Sequence, residues 1–276
     1  MESGLFFLFN VWYNKNKSET YPMHFPHTFF GVRNLFVIIK KKDLLLGAAL
    51  FLTLGIYLSL TMLRPSVSSF SPQAGGERVI VVDAGHGGED GGAVSADGVV
   101  ESHINLAIAQ DVNALLTFLG EDTRMTRTED VSIHSQNAET LHQKKVSDLK
   151  NRVELVNSTP NAILLSIHQN SLPKSKSVHG AQVFYGKVET SDLYARSMQE
   201  ALNRAINDKE KDAKEIAPTI YLMKNVTAPA VLVECGFLSN SSDSTMLQQE
   251  NYQKKLAVVI AAGFLNAVNS REEAEG

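Results

Sequence analysis

The chain has 276 residues, 43% of them hydrophobic, enough for one large domain or two small ones around a substantial core. Its formal charge of −4 is unevenly spread: residues 1–64 carry seven basic against three acidic side chains, the remainder nineteen against twenty-seven. The acidic remainder argues against a nucleic-acid binder held by phosphate contacts, and the single cysteine, Cys235, excludes an intrachain disulfide and a cysteine-rich metal site.

Residues 1–43 read as a cytoplasmic N-terminal segment, and 1–31 show no period to which a role can be assigned. Residues 44–63 (LLLGAALFLTLGIYLSLTML) form an uncharged run of about the length that spans a bilayer core. Lys40, Lys41 and Lys42 stand just before it, which places the N-terminus inside and the rest of the chain outside. The run is apolar on every face and longer than a usual signal h-region, which favours a transmembrane anchor over a core helix or a cleaved signal. Residues 64–77, rich in Ser, Pro and Gly, read as a flexible linker, and a catalytic domain is expected over 78–270.

Within that domain strand and helix signals alternate. RVIVVD (78–83) is a β-branched run ending in the turn signal AGHGG. Residues 101–119 carry a helical stripe from Ile104 to Leu119, 122–127 read as a second strand, and 131–143 as a loop. A helix is expected over 145–156, a strand over 162–167, a strand over 181–185 and a helix over 191–206. The charged stretch 207–215 reads as a helix end or loop. Strands at 219–223 and 230–234 follow, then a closing helix over 252–268. This alternation gives one α/β domain with a central, largely parallel sheet and helices on both faces, whose site lies at the carboxyl ends of strands.

Three strand ends carry polar residues that a core strand does not need: Asp83 with His86, His168, and Glu234 after the apolar run PAVLV. If those strands are neighbours, two imidazoles and several carboxylates converge, the ligand types that zinc accepts. His86 and His168 supply two ligands, and Glu101, which opens the first helix behind the glycine loop, is the third. On spacing alone Asp83, Glu89, Asp90 or His103 serves as well. Glu234 then acts as general base, since a carboxylate after an apolar strand is costly without a role or a partner. His134 and His142 fall in the loop, His179 precedes a strand, and Cys235 reads as a buried small hydrophobe on the opposite side from Glu234.

VIVVDAGHGGEDGGA, the Glu101 that opens a helix, LLSIHQN and LVECGFLSN occur in an order that resembles the zinc-dependent N-acetylmuramoyl-L-alanine amidases of the Amidase_3 family. The resemblance covers about residues 78–268. DLKNRVELVN, GAQVFYGK and AKEIAPTIYLMKNVTAPAVLVECGFLSN bring it nearest the family's germination-specific branch in endospore formers. It implies a mixed six-stranded sheet flanked by helices, Zn²⁺ held by His86, Glu101 and His168, and Glu234 as the catalytic glutamate. It also implies peptidoglycan as substrate, extracytoplasmic action in the spore cortex and an activating protein partner left open. Asn170 and the backbone N–H groups of Gly87 and Gly88 are expected to orient substrate. The competing readings are a zinc peptidase cutting within the stem peptide and a non-catalytic wall-binding protein.

Overall fold

The computed structural model describes residues 78–275 and Thr53, with side chains as far as Arg271. The chain divides into two units, Met1–Pro65 and Ser66–Gly276, and the fold that follows belongs to the second. The expected N-terminal segment, the run 44–63 apart from Thr53, and the linker lie outside the described residues. Among the described residues no helix is long and apolar enough to cross a membrane.

Six strands form one sheet: β1 (Val79–Ala84), β2 (Asp122–Met125), β3 (Ala162–Asn170), β4 (Gln182–Tyr185), β5 (Lys214–Glu215) and β6 (Ala230–Phe237). Their order is β2-β1-β3-β6-β4-β5, and only the β4–β6 pair is antiparallel. The helices are α1 (Glu101–Phe118), α2 (Leu141–Ser158), α3 (Ser191–Ala205), α4 (Tyr221–Asn225), α5 (Ser241–Leu247) and α6 (Glu250–Glu275). The period of two along each strand divides the core into two layers. Ile80, Val82, Leu165, Ile167 and Val233 pack with Ile108 of α1, Met198 of α3 and Phe264 of α6. Val81, Leu164 and Leu232 pack on the other face with Val156 of α2 and Leu222 and Met223 of α4.

The expected mixed α/β sheet is present, but four local readings change. Residues 219–223, expected as a strand, end in α4: adjacent Leu222 and Met223 are both buried with Val226 a turn later, a helical pattern that so short an apolar run does not reveal. The charged stretch 207–215 contributes Lys214 and Glu215 as β5, an exposed strand on the edge of β4. The loop expected to run to 143 gives way to α2 at Leu141, where Thr140 and Gln143 form a capping box, so His142 is helical. Helix α5, which was not expected, starts where the Asn240 side chain accepts from the N–H groups of Ser242 and Asp243.

Candidate active site

Strands β1, β3 and β6 lie side by side and run the same way, so their carboxyl ends meet. Asp83 pairs in register with Ser166, and His168 with Glu234. By the strand period Asp83, Ser166, His168 and Glu234 all face the α2–α4 layer. Glu101 arrives from the other layer as the first residue of α1.

The donor atoms of His86, Glu101 and His168 all lie within 4.8 Å of one another. Glu101 Oε1 stands 3.0 Å from His168 Nδ1 and 3.4 Å from His86 Nε2. The same oxygen accepts from the Gln169 N–H and from Asn105 Nδ2, while Oε2 accepts from the Ala93 N–H. Burial opposes the Glu101 charge, but the facing His168 and His86 outweigh it and hold the carboxyl at about 2. Desolvation lowers the pKa of the half-buried His168, yet its bond to Glu101 outweighs this and raises it. Two glycines permit this approach: a Cβ on Gly85 would stand 2.2 Å from the His168 ring, and one on Gly92 2.6 Å from Glu101 Oε2. A convergent His/Glu/His set, with a carboxylate ionised under burial, fits a divalent cation of borderline softness.

The second nitrogen of His86 is anchored as well. Nδ1 lies 2.9 Å from Asp90 Oδ2, and Asp90 is in turn paired with Lys145 of α2 at 3.2 Å. The hydrogen bond from His86 holds the Asp90 carboxyl well below the usual range. Such outer partners fix the tautomer and angle of a ligating imidazole. Asp90→Asn is therefore expected to weaken metal affinity by about 10–100-fold, measured by competition with a chromophoric chelator. An unchanged affinity would show that His86 holds its position without Asp90.

Glu234 differs from every carboxylate around it. Among the described residues its buried Oε2 has no hydrogen-bond partner, and burial, reinforced by the Glu101 charge and opposed by His168, pushes its carboxyl up to about 7. It lines a cavity of about 490 Å³ shared with His86, Glu101 and His168.

Asp83, one of the alternatives for a ligand, has a different task. It is 1% exposed and holds Arg152 Nη1 at 2.5 Å, Thr126 Oγ1 at 2.8 Å and Ser166 Oγ at 2.6 Å. Arg152 also donates to the carbonyls of Ala84 and His86 and to Asp148. Arg127 donates to the carbonyls of Ala84, Gly85 and Ser102. These two buried guanidiniums clamp the loop that presents His86, whose own φ is +60°. Neither arginine was singled out by the sequence, nor was Asn105, which ties Glu101 to the Gly85 carbonyl.

Asn170 lines the cavity. Gly87 and Gly88 do not fit that role: the Gly87 N–H donates to the Asp90 carbonyl and the Gly88 N–H to the Asp130 carboxylate, so both donors are used within the chain. Glu89 pairs with Lys144 and His103 with Asp130, both away from the cluster. His134 bonds Ser132, and His179 pairs with Asp208. Cys235 is buried on the opposite face, its thiol pushed up by burial.

Residues 80–266 match the family profile Amidase_3, N-acetylmuramoyl-L-alanine amidase. The chain belongs to that family. The amidase is 37% identical over 188 residues to the germination-specific N-acetylmuramoyl-L-alanine amidase of Bacillus subtilis, covering 68% of this chain and 78% of that one. It is 28% identical over 252 residues to the amidase AmiA of Escherichia coli, covering 74% and 82%. Its fold superimposes, with a TM-score of 0.67 and 35% identity, on the CwlD amidase of Clostridioides difficile solved in complex with the GerS lipoprotein. That alignment covers 70% of this chain and all of the other. In the amidase the four motif blocks named from sequence thus meet at one cavity.

Proposed function

We propose that this N-acetylmuramoyl-L-alanine amidase is a zinc enzyme in which His86, Glu101 and His168 hold the metal and Glu234 is the general base. The bond it breaks joins the lactyl group of muramic acid to the L-alanine of a peptidoglycan stem peptide. The observation that carries the reading is Glu234: a carboxylate whose Oε2 is buried with no hydrogen-bond partner among the described residues, with its proton affinity raised toward neutrality, in the same cavity as a convergent His/Glu/His set. Zinc held there supplies Lewis-acid polarisation of the amide carbonyl and a lowered pKa for bound water. Glu234 accepts the proton of the attacking water and returns it to the leaving alanine nitrogen. Asn170, on the rim of the cavity, orients the substrate amide. His86 stays in one tautomer through Asp90, and the Arg127–Arg152 clamp keeps its loop from relaxing.

The likeness to the germination-specific relative supports a role in germination, and the uncharged run 44–63 behind Lys40, Lys41 and Lys42 would serve as a membrane anchor with the catalytic domain outside. A lipoprotein partner, such as the one bound to the Clostridioides difficile relative, would meet the enzyme on that side of the membrane. The test is mass spectrometry of products from the full-length protein and peptide-substituted peptidoglycan, with and without a metal chelator. Stem peptides beginning with L-alanine, lost on chelation and restored by zinc, are expected. Fragments cut within the stem would make the protein a peptidase. Intact muropeptides from a folded protein that binds no metal would remove the reading.

A further inference from the structure

The catalytic cavity has two walls of opposite character. On the α2 side stands Lys145, its side chain 54% exposed and its ammonium 3.2 Å from Asp90. On the α4 side stand Ile220 and Tyr221, 40% and 39% exposed, over a buried Leu222. Tyr221 carries the only phenyl-type ring among the residues lining the cavity. Every other large apolar side chain of α4 is turned into the core, where Leu222 and Met223 pack against the sheet. The Tyr221 ring is thus left on the cleft wall, 39% exposed.

The two halves of the substrate differ in the same way. A glycan strand presents pyranose rings whose C–H faces are apolar and flat, whereas a stem peptide presents amides and carboxylates. An aromatic face takes a pyranose ring by covering its C–H surface, and an ammonium takes a carboxylate. We propose that the Ile220–Tyr221 wall is the glycan subsite, with a sugar ring of the strand stacked on Tyr221 and the peptide directed along the Lys145 wall. The assignment rests on the amidase reading and adds to it the direction in which the substrate lies across the metal cluster.

Covering about 60 Å² of apolar surface corresponds to about tenfold in affinity. The experiment measures two things on the full-length protein, for wild type, Tyr221→Ala and Tyr221→Phe. One is calorimetric binding of a peptide-free tetrasaccharide of alternating N-acetylglucosamine and N-acetylmuramic acid. The other is KM and kcat on the matching peptide-bearing glycan. Tyr221→Ala is expected to weaken tetrasaccharide binding and raise KM by about tenfold each, with kcat within about twofold, and Tyr221→Phe to restore both, since it keeps the ring. Unchanged tetrasaccharide binding in Tyr221→Ala beside normal wild-type turnover would overturn the subsite and leave the amidase reading intact. Tyr221-dependent binding without amide cleavage by wild type would uphold the subsite and overturn that reading. A KM rise that Tyr221→Phe fails to restore would overturn stacking.

Discussion

Glu234→Gln is expected to fold, to keep its metal and to lose turnover by at least about 10²–10⁴-fold, the range that a positioned general base supplies. The amide keeps the volume of the carboxyl and can bring a donor into a position where Oε2 has no partner. Folding therefore does not suffer from a buried charge, and the isosteric change removes only the group that moves the proton. Single-turnover release of stem peptide, with metal content measured on the same sample, is the check. A Glu234→Gln enzyme with metal and near-normal turnover would take Glu234 out of the base role. The pH profile follows from the same group. Glu234 works as a base only when ionised, so activity falls as pH drops through its pKa. Burial raises that pKa to about 7. A divalent cation held beside it favours the ionised form and draws the value down. The acid limb of kcat/KM is thus expected below pH 7, and an acid limb well above 7 would contradict this account of the base.

Asp83→Ala is expected to destabilise the fold by about 3–5 kcal/mol, the usual cost of stranding one member of a buried ion pair. The variant leaves the Arg152 guanidinium, 2% exposed, with Asp148, the Thr126 hydroxyl and backbone carbonyls as its partners, and it leaves Ser166 and Thr126 without their carboxylate acceptor. Urea unfolding of the metal-free protein reads this directly, and a loss under about 1 kcal/mol would show that Asp148 alone suffices for Arg152. Adding Arg152→Met to Asp83→Leu is not expected to cancel this cost, because the buried Asp148 carboxylate then loses its own guanidinium partner. The carboxyl also carries a pH signature. Burial raises its pKa, but Arg152, His168 and two hydroxyl donors together lower it from 3.8 to about 2. The folded state therefore holds the ionised form more tightly than the unfolded chain. That contribution is present in full above pH 3.8 and lost as pH falls toward 2, so Asp83→Ala loses its disadvantage over that window.

Strand ends were the legible part of the site. A run such as PAVLV or AILLSI has no local use for the Glu or His that ends it, so His168 and Glu234 stood out before any partner was known. Glu101 was half legible. A carboxylate opening a helix is common for the helix dipole alone, and only the cradle of Ala93, Gln169 and Asn105 donors sets this one apart. Asp83 misled because a carboxylate three residues before His86 has the look of a ligand. Its true partner, Arg152, lies 69 residues away and on another element. Asp90 was among the ligand candidates and instead bonds the Nδ1 of His86, the ring nitrogen that faces away from Glu101. Gly87 and Gly88 could not be judged from sequence, since what decides them is that Asp90 and Asp130 take up their N–H groups.

Local periodicity served the long elements and failed the short ones. Helices α1, α3 and α6 present enough turns for a stripe to emerge, and β1, β3 and β6 enough β-branched residues. Helix α4 has five residues, too few for a period of 3.6 to separate from a period of two, and β5 has two. The misreading mattered, because placing Tyr221 at the start of α4 rather than inside a strand is what puts its ring on the cavity wall.

His86, Glu101 and His168 are proposed to hold one zinc ion beside Glu234. Anomalous scattering on either side of the zinc absorption edge, from crystals of the purified protein, tests it most directly. The predicted result is one peak that appears only above the edge, bonded to all three side chains, with Glu234 facing it and not bound to it. A peak on other ligands, or an edge belonging to another metal in a protein that frees L-alanine-headed peptides, would contradict it.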